Sequence, residues 1–198
     1  AEIIPERRKQ LESELAFLAQ MAEDLQQATN QPELLSVREE LEAAGLLPRT
    51  PTKAPVKTIG KAKARQPGKP QAHQPAEPQL LRYYSPQGFE IVVGRNARQN
   101  EQITFDVAKA EDLWLHARGA PGSHVIIRNG GQPVQPETLT MAAQLAAYYS
   151  KLRGERAVTV IFTPKRFVSR APGGHTGQVL VREEATMTVP GELPTFEE

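Results

Sequence analysis

Residues 112–118 carry the side chains best suited to binding chemistry, because apolar and polar residues alternate along this segment. A period of two places the apolar residues on one face of a strand. The opposite face then carries Asp112, Trp114, His116 and Arg118. An exposed tryptophan beside an arginine is typical of a platform that stacks on an unpaired nucleobase. The alternative is a second buried layer, in which Trp114 packs under the long helix predicted below and His116 is hydrogen-bonded.

Residues 119–124 join this strand to the next, and Pro121-Gly122 suits the centre of a type II turn with Gly122 at positive φ. The N–H groups of such a turn and the Ser123 hydroxyl can bind an anion, and His124 follows them. A serine hydrolase and a metal site can also be drawn from these residue types. However, the sequence has no G-x-S-x-G elbow and no common zinc spacing. It therefore predicts no catalytic residues, no metal site and no cofactor.

Residues 94–100 follow the second predicted strand and contain a capping box, since Gln99 stands three residues after Asn96. A helix that begins there presents free N–H groups beside Arg95 and Arg98. This combination favours a phosphate or nucleotide site. The alternative is a plain turn from strand to helix, with Asn96 serving only as the cap.

Residues 163–177 place three basic residues before a glycine-rich loop between two predicted strands. The basic residues are Lys165, Arg166 and Arg170. A flexible loop with a basic entry can follow a phosphate backbone. The alternative is a solvent-exposed hairpin with ordinary surface charge.

Short apolar runs in residues 80–198 predict the sheet that positions these residues. The predicted strands are 80–84, 89–93, 113–117, 125–127, 157–162, 178–181 and 186–189. Ser85-Pro86-Gln87-Gly88 predicts a turn between the first two. One long helix is predicted over 136–152, with Leu139, three alanines and Tyr149 on one face. The predicted fold class is α+β, with a mainly antiparallel sheet, one long packed helix and a preceding coiled-coil-type helical segment.

Residues 1–47 predict that helical segment, because apolar residues recur with heptad spacing. The seam residues are Leu11, Leu15, Leu18, Ala22 and Leu25. Pro32 can begin a second helix, and Gly45 can end it. The narrow seam favours one arm of a coiled-coil hairpin, which can also self-associate between copies. The alternative is a surface helix packed on the later domain.

The charge distribution separates three segments. Residues 1–47 carry 4 Lys+Arg against 10 Asp+Glu, residues 48–79 carry 7 against 1, and residues 80–198 carry 13 against 12. The middle segment also has seven prolines, so we predict a disordered, extended basic linker. It serves either to contact a phosphate backbone or only to keep the chain soluble. The predicted domains are therefore 1–47, 48–79 and 80–198.

Composition excludes several classes of protein. With no cysteine, the chain has no disulfide, zinc-thiolate site or thiol catalysis. No apolar run reaches the roughly 20 residues of a membrane helix, and no secretory signal is visible. We expect a cytoplasmic protein without a membrane partner. Because the chain opens at Ala1 without a methionine, we expect it to be a fragment.

Five strings resemble one family, that of the NFACT-R domain in RqcH/NEMF-like, fibronectin-binding protein A-type ribosome quality-control proteins. The strings are VGRNARQN (93–100), DLWLHA (112–117), PGSHV (121–125), AAQLAAYYS (142–150) and VREEL (37–41). The resemblance covers residues 34–47 and 80–191. The last string resembles the end of the family's coiled-coil region. In the glycine-rich loop the family usually has Lys-Pro where this chain has His175-Thr176, which weakens a basic contact from that loop.

The resemblance implies an RNA-binding, non-enzymatic module. It implies a factor that binds stalled large ribosomal subunits and recruits tRNA for C-terminal alanine tailing of nascent chains. The family's N-terminal tRNA-recognition domain, its helix–hairpin–helix part and the other coiled-coil arm are not in this sequence, so tailing by this chain alone is not expected. The candidate RNA-binding residues are Arg95, Asn96, Arg98, Asn100, Trp114, His116, Arg118, Ser123, His124, Lys165 and Arg166. The alternative function is a protein-binding, fibronectin-binding adhesin module.

Overall fold

The structure of the protein is a computed structural model that describes residues 3–48 and 80–195. The predicted basic linker, apart from its first residue, lies outside the described residues. The division into the three predicted segments therefore stays a prediction.

A six-stranded antiparallel sheet forms the centre of the part described after residue 80. Its strands are β1 (Leu81–Tyr84), β2 (Glu90–Val93), β3 (Leu113–Ala117), β4 (Val125–Ile127), β5 (Val158–Pro164) and, after a small hairpin, β8 (Ala185–Val189). They pair in the order β1-β2-β4-β3-β5-β8, and each adjacent pair is antiparallel. The hairpin consists of β6 (Val168–Arg170) and β7 (Val179–Val181). This arrangement, with its packed helix and preceding helical segment, confirms the predicted α+β class.

One face of the sheet is covered by the long helix α4 (Pro136–Tyr148). Ala142, Ala143 and Ala146 are fully buried against Leu115 and other aliphatic strand residues. These small side chains let the helix backbone approach the sheet closely, as the sequence predicts. The helix ends four residues earlier than predicted, because the chain bends so that Ser150 pairs with Gly122 beside β4.

The other face of the sheet buries Trp114 in a second apolar cluster. Its neighbours include Ile103, Ile126 and Val168. Their cover comes from β6–β7 and from a short helix, α3 (Ala97–Gln102), that continues into a π-helical turn, Ile103–Val107. The predicted alternation along β3 is therefore confirmed. Trp114 lies in a second buried layer, but that layer is on the face opposite α4 and not under the long helix.

Two further helices precede the sheet: α1 (Ile3–Gln27) and α2 (Gln31–Ala43). Asn30 caps α2, since its side chain accepts the Glu33 N–H at 3.0 Å. Gly45 ends the helical pair with φ 75°, as predicted. Phe17, Met21 and Val37 form a small core with Ala97 at the start of α3.

The predicted heptad seam lies on the exposed side of α1. Leu11, Leu15, Leu18 and Leu25 are 45–68% exposed. The face that carries Phe17 and Met21 packs instead on α2 and on Ala97 at the start of α3, so α1 is in part a helix packed on the later domain, as the alternative interpretation predicts. Within residues 3–48 and 80–195 no helix opposes the seam, so the coiled-coil arm stays a prediction. No helix in the same residues has the length and hydropathy needed to cross a membrane.

Candidate nucleic-acid interface

A cavity of about 690 Å³ lies between α1 and the Trp114 face of the sheet. We call it the α1–β3 cavity. The sheet wall is formed by Trp114, His116, His124 and Ile161. Helix α1 supplies a second wall, and the glycine-rich loop between β6 and β7 supplies a third. Phe17 contributes to the α1 wall and also packs with Met21, Val37 and Ala97, which anchors that wall.

Three aromatic rings meet on the sheet wall of the α1–β3 cavity. The Trp114 and His116 rings are nearly parallel, with centroids 5.7 Å apart and an interplanar angle of 21°. The His124 ring stands edge-on to both, at 5.0 Å from Trp114 and 5.3 Å from His116. The His124 Nδ1 and the Thr104 hydroxyl lie 2.8 Å apart, which fixes the orientation of this ring. The wall is therefore a rigid aromatic surface.

Both imidazoles on this wall are uncharged at neutral pH. Burial lowers the pKa of His116 to about 4, and its hydrogen bond to the Gly122 backbone only partly opposes that shift. Burial also lowers the pKa of His124 well below its usual value, and the neighbouring His116 adds to the effect. The aromatic wall is therefore electrically neutral.

Two buried polar atoms near this wall have no partner. The Trp114 Nε1 and the Ser123 Oγ make no hydrogen bond within the described part of the chain. Both residues are 1% exposed. A buried donor without an acceptor costs about 1–3 kcal/mol. Trp114 lines the α1–β3 cavity, and an acceptor there reaches its buried indole N–H only if the residues that cover Trp114 move.

Helix α1 is fastened to the glycine-rich loop by side-chain contacts at the cavity rim. The rings of Phe17 and His175 stack at 4.0 Å with an interplanar angle of 20°. The Ser13 hydroxyl donates to Gln178 Oε1, and Gln178 Nε2 donates to the Ser13 carbonyl, each at 3.0 Å. On the other side of the cavity, the Gly122 N–H donates to Gln20 Oε1 at 3.0 Å. These contacts hold α1 against the loop and against Gly122, and none of them is a hydrogen bond between strands of the sheet.

Gly122 is required for close packing and not for an unusual backbone conformation. A Cβ on Gly122 would lie 2.6 Å from the Ser150 Cβ. The positive φ in this connection is at Gly119, with φ 69°, so the predicted positive φ at Gly122 is wrong. The Asn100 side chain holds the same corner, donating to the Gly122 carbonyl at 3.1 Å and accepting the His124 N–H at 2.9 Å.

The predicted phosphate site at the start of α3 is occupied by carboxylates of the chain itself. Asn96 caps α3 as predicted, because its side-chain oxygen accepts the Gln99 N–H at 2.8 Å. The Ala97 N–H donates to Asp24 Oδ2 at 2.8 Å, and the Arg98 N–H donates to Glu40 Oε1 at 3.2 Å. Helices α1 and α2 therefore provide the anions that these N–H groups need.

The two predicted arginines beside α3 are also paired with the helices. Arg95 lies 3.1 Å from the Glu33 carboxylate and donates to the Gln27 carbonyl. Arg98 lies 3.0 Å from Glu39. These ion pairs join the sheet domain to the acidic helical segment.

Burial of Asp24 and Glu40 makes this contact sensitive to protonation. Burial raises the pKa of Asp24 to about 7, although hydrogen bonds from Gln20 and Ala97 favour its charged form. Burial also raises the pKa of Glu40 to about 7, with Arg98 acting in the opposite direction. The helical segment is therefore held by two carboxyl groups that titrate near neutral pH.

Basic and aromatic side chains form a ridge beside the cavity. This cationic ridge consists of Lys165, Arg166 and Arg170 with Phe105 and Phe167. The Arg170 guanidinium lies 4.1 Å from the Phe105 ring centre, and Lys165 Nζ lies 5.3 Å from it. Arg166 lies 4.8 Å from the Phe167 ring centre. Stacking on rings holds these cations in place at modest cost in entropy.

Two exposed arginines are also next to cavity-lining residues in the sequence. Arg118 precedes Gly119, and Arg170 precedes Ala171, both of which line the cavity. Arg118 pairs with Glu184, Arg166 with Glu111, and Arg170 with Glu101. These pairs are exposed to water and contribute little to stability.

The structure thus divides the eleven predicted site residues among three places. Trp114, His116 and His124 line the cavity, while Arg118, Lys165 and Arg166 are outside it. The remaining five lie at the α3 start or in the buried corner: Arg95, Asn96, Arg98, Asn100 and Ser123.

The sequence does not predict several residues that shape the cavity and the cationic ridge. Phe17 and Gln178 form the cavity rim, and Phe105 orients the cations of the ridge. Their contacts join distant parts of the chain, so local spacing gives no signal for them. The described residues contain no cluster of three or more His, Cys, Asp or Glu side chains that could hold a metal ion.

Comparisons with known proteins identify related chains. The family model described as NFACT protein RNA binding domain matches residues 79–183. The Rqc2 homolog RqcH of Bacillus subtilis is 40% identical over 113 residues, which is 57% of this chain and 20% of that protein. The human ribosome quality control complex subunit NEMF is 30% identical over 119 residues, or 57% of this chain and 11% of that protein. The chain therefore spans about a fifth or less of the length of these relatives.

A solved structure resembles the helices as well as the sheet domain. It is the C-terminal part of the fibronectin/fibrinogen-binding protein from Streptococcus suis, with a TM-score of 0.72 and 33% identity. The match covers 94% of this chain and 67% of that chain.

Proposed function

The chain belongs to the family of NFACT protein RNA-binding domains, and on this basis we propose that it is the RNA-contacting module of a ribosome quality-control factor. The factor would bind stalled large ribosomal subunits and recruit tRNA for C-terminal alanine tailing of nascent chains. The module contributes binding and no chemistry, because the ribosome itself forms the peptide bonds. Such a role would keep the protein in the cytoplasm.

The observation that carries the proposal is the position of the cationic ridge beside a neutral aromatic cavity. Arg166 and Arg170 lie over the Phe167 and Phe105 rings and are exposed to solvent, and Lys165 beside Phe105 is half-buried. These contacts favour one position for each cation. Fixed cations suit phosphate groups, and aromatic surfaces suit unpaired bases. We assign backbone contacts to Arg118, Lys165 and Arg166, with Arg170 added.

The candidates that contact the helices or the buried corner then have a positioning role. Arg95 and Arg98 hold the helices through Glu33 and Glu39, and Asn96 caps α3. Asn100 holds the corner that carries His124. Replacing these residues would displace the walls of the interface without removing a direct RNA contact.

The test is equilibrium binding of fluorescently labelled tRNA to this chain across a salt series. Removing one cation that touches a phosphate lowers the salt slope by about one. We therefore expect the Lys165→Glu, Arg166→Glu double variant to bind at least about tenfold more weakly at low salt and to have a shallower slope.

Arg153→Glu with Arg156→Glu is the matched control, because both exposed arginines lie between α4 and β5 and the charge change is identical. This control should bind as the unmodified chain does. Equal losses of affinity in both double variants would contradict a localised RNA surface. Absence of tRNA binding at low salt would reject RNA binding by this chain.

A second candidate function is binding to a protein. The structural relative from Streptococcus suis is described as binding fibronectin and fibrinogen, and α1 exposes Leu11, Leu15 and Leu18. An apolar protein interface depends little on salt, whereas RNA binding through several cations weakens steeply with it. Salt-insensitive capture of fibronectin, abolished in Leu15→Gln, would favour this second function.

A further inference from the structure

We propose that the α1–β3 cavity receives a single unpaired nucleobase of an RNA strand, while the phosphates stay outside it. This inference rests on the proposed function, because it specifies which part of the RNA the cavity accepts. It also gives Trp114, His116 and His124 a shared role that backbone contacts do not explain.

The size of the cavity fits one base with part of its sugar. Its volume is about 690 Å³, within the range of about 300–1,000 Å³ typical of small-molecule sites. The surrounding side chains are mostly apolar or uncharged, among them Ala16, Phe17 and Ile161. A planar, uncharged group is buried there at a smaller desolvation cost than a charged phosphate, provided that its polar edge atoms find hydrogen-bond partners.

The sheet wall has the chemistry that recognises a base. The half-buried His116 ring lies nearly parallel to the fully buried Trp114 ring. Because aromatic rings stack with every base, a base that stacks on His116 extends this pair. The Trp114 indole N–H is a buried donor without an acceptor in the described residues. Base edges carry ring-nitrogen and carbonyl acceptors that can take this hydrogen bond. An aliphatic side chain would leave the donor unsatisfied.

The charges keep the phosphate backbone outside the cavity. Both imidazoles are neutral at physiological pH, because burial lowers their pKa values. The charged side chain among the described lining residues is Glu12, an anion that repels phosphate. The cations Arg118 and Arg170 lie one residue before lining positions, where a backbone following the inserted base can reach them.

Entry does not require the sheet to open. The rim between α1 and the loop is closed by the Phe17–His175 stack and by the Ser13–Gln178 hydrogen bonds. These contacts join a helix to a loop, so they can separate while every strand pair stays intact. Because α1 is also anchored by Phe17 and Met21 in a small apolar core, insertion requires movement of residues 171–178 rather than of α1.

Trp114 provides the readout, because it is the single tryptophan of the chain. We would titrate the full chain with an unstructured nine-nucleotide RNA and with an abasic oligomer of the same length and charge. Both are added at low salt, and tryptophan emission is recorded together with the anisotropy of a labelled strand. We expect the RNA to quench Trp114 and to bind about tenfold more tightly than the abasic oligomer, since stacking of one base accounts for such a factor.

A pair of variants on one helix tests the location. Ala16→Phe places a ring on a cavity wall, at a position that is solvent-exposed and so tolerates the change in folding. Ala22→Phe makes the same change at an exposed position of α1 that does not line the cavity. We expect Ala16→Phe to abolish the quenching and the preference for RNA over the abasic oligomer. Ala22→Phe should leave both unchanged, and circular dichroism should show both variants folded.

The outcomes separate this inference from the proposed function. Equal binding of RNA and abasic oligomer, with Trp114 emission unchanged, would reject the base-binding cavity while RNA binding stands. Quenching by a nine-residue leucine–serine peptide but not by RNA would assign the cavity to a protein segment and overturn the inference. No binding of any nucleic acid would reject both proposals together.

Discussion

Helix α4 and helix α1 cover opposite faces of the same sheet, and they differ in how closely they pack on it. On the α4 face, alanines and aliphatic strand residues form a largely buried core, and every alternate residue of β3 points there. On the α1 face, aromatic and imidazole rings border a cavity, and the helix is held by a small apolar core with α2 and Ala97 and by a ring stack and hydrogen bonds at the cavity rim. The α4 face therefore has the packing of a stable core, whereas the α1 face borders a cavity and contains buried polar atoms without hydrogen-bond partners.

From this contrast we predict that the residues of the α4 face determine stability and that those of the α1 face determine binding. Close packing maximises dispersion contacts and excludes water. A cavity forgoes part of that energy, and a buried indole N–H without a partner costs more. Such costs are concentrated at functional sites in folded proteins. The α1 face is accordingly the face on which we expect binding.

The largest expected effect is on the α4 face. Leu145 is fully buried in the core between α4 and the sheet. Leu145→Ala removes this side chain and leaves a cavity, so it should lower the free energy of unfolding by about 2–5 kcal/mol. Urea denaturation followed by circular dichroism measures the loss.

The same variant distinguishes stability from binding. Under conditions in which Leu145→Ala remains folded, its affinity for tRNA should equal that of the unmodified chain. Leu139→Ala, at a partly buried position of the same helix, is the control and should cost less. A binding defect in folded Leu145→Ala would show that the two faces are not independent.

An intermediate effect concerns the acidic contact between the helices and α3. Asp24 has a folded pKa of about 7, above its ordinary 3.8. A group that binds protons more tightly when folded stabilises the fold at low pH, and this contribution is lost as pH rises to 7. His116 acts in the opposite direction, because its folded pKa of about 4 lies below 6.5. Stability gained from an uncharged His116 is lost as pH falls.

Asp24→Asn separates these opposing contributions. The free energy of unfolding of the unmodified chain falls between about pH 4 and 7 as Asp24 loses its proton, whereas asparagine does not titrate. The variant should therefore become more stable relative to the unmodified chain as pH rises. The gain is at most about 1.4 kcal/mol per pH unit. Urea unfolding at pH 5 and pH 7.5 measures it, with Glu14→Gln at an exposed position of α1 as control. An identical difference at both pH values would contradict the raised pKa of Asp24.

The sequence predicts the α4 face more completely than the α1 face. Alternation along β3 and the alanines of α4 are local patterns, and the structure confirms both. The Asn96 cap is local as well, and it too is confirmed. These features depend on periodicity and on residues three or four positions apart, which a single sequence displays.

The walls of the cavity depend on contacts between distant residues. Phe17 meets His175, and Ser13 meets Gln178, across more than 150 positions. The phosphate site predicted from Asn96 and Arg98 overlooked Asp24 and Glu40, because their approach to α3 is a tertiary contact. The seam of α1 is predicted correctly as a helical stripe, but periodicity does not specify which stripe the domain covers.

The smallest expected effect is on that exposed seam. Leu11 and Leu18 are 49% and 45% exposed, so the Leu11→Gln, Leu18→Gln double variant should change the free energy of unfolding by less than about 0.5 kcal/mol per site. Phe17→Ala, on the packed side of the same helix, should cost several times more, since Phe17 is 3% exposed.

Sedimentation equilibrium adds a second measurement. If the seam pairs between copies, as the heptad spacing predicts, the unmodified chain should associate at high concentration and the double variant should remain monomeric. If the unmodified chain stays monomeric, the seam does not pair with a second copy of itself. The apolar stripe on this helix of 25 residues would then need a different partner.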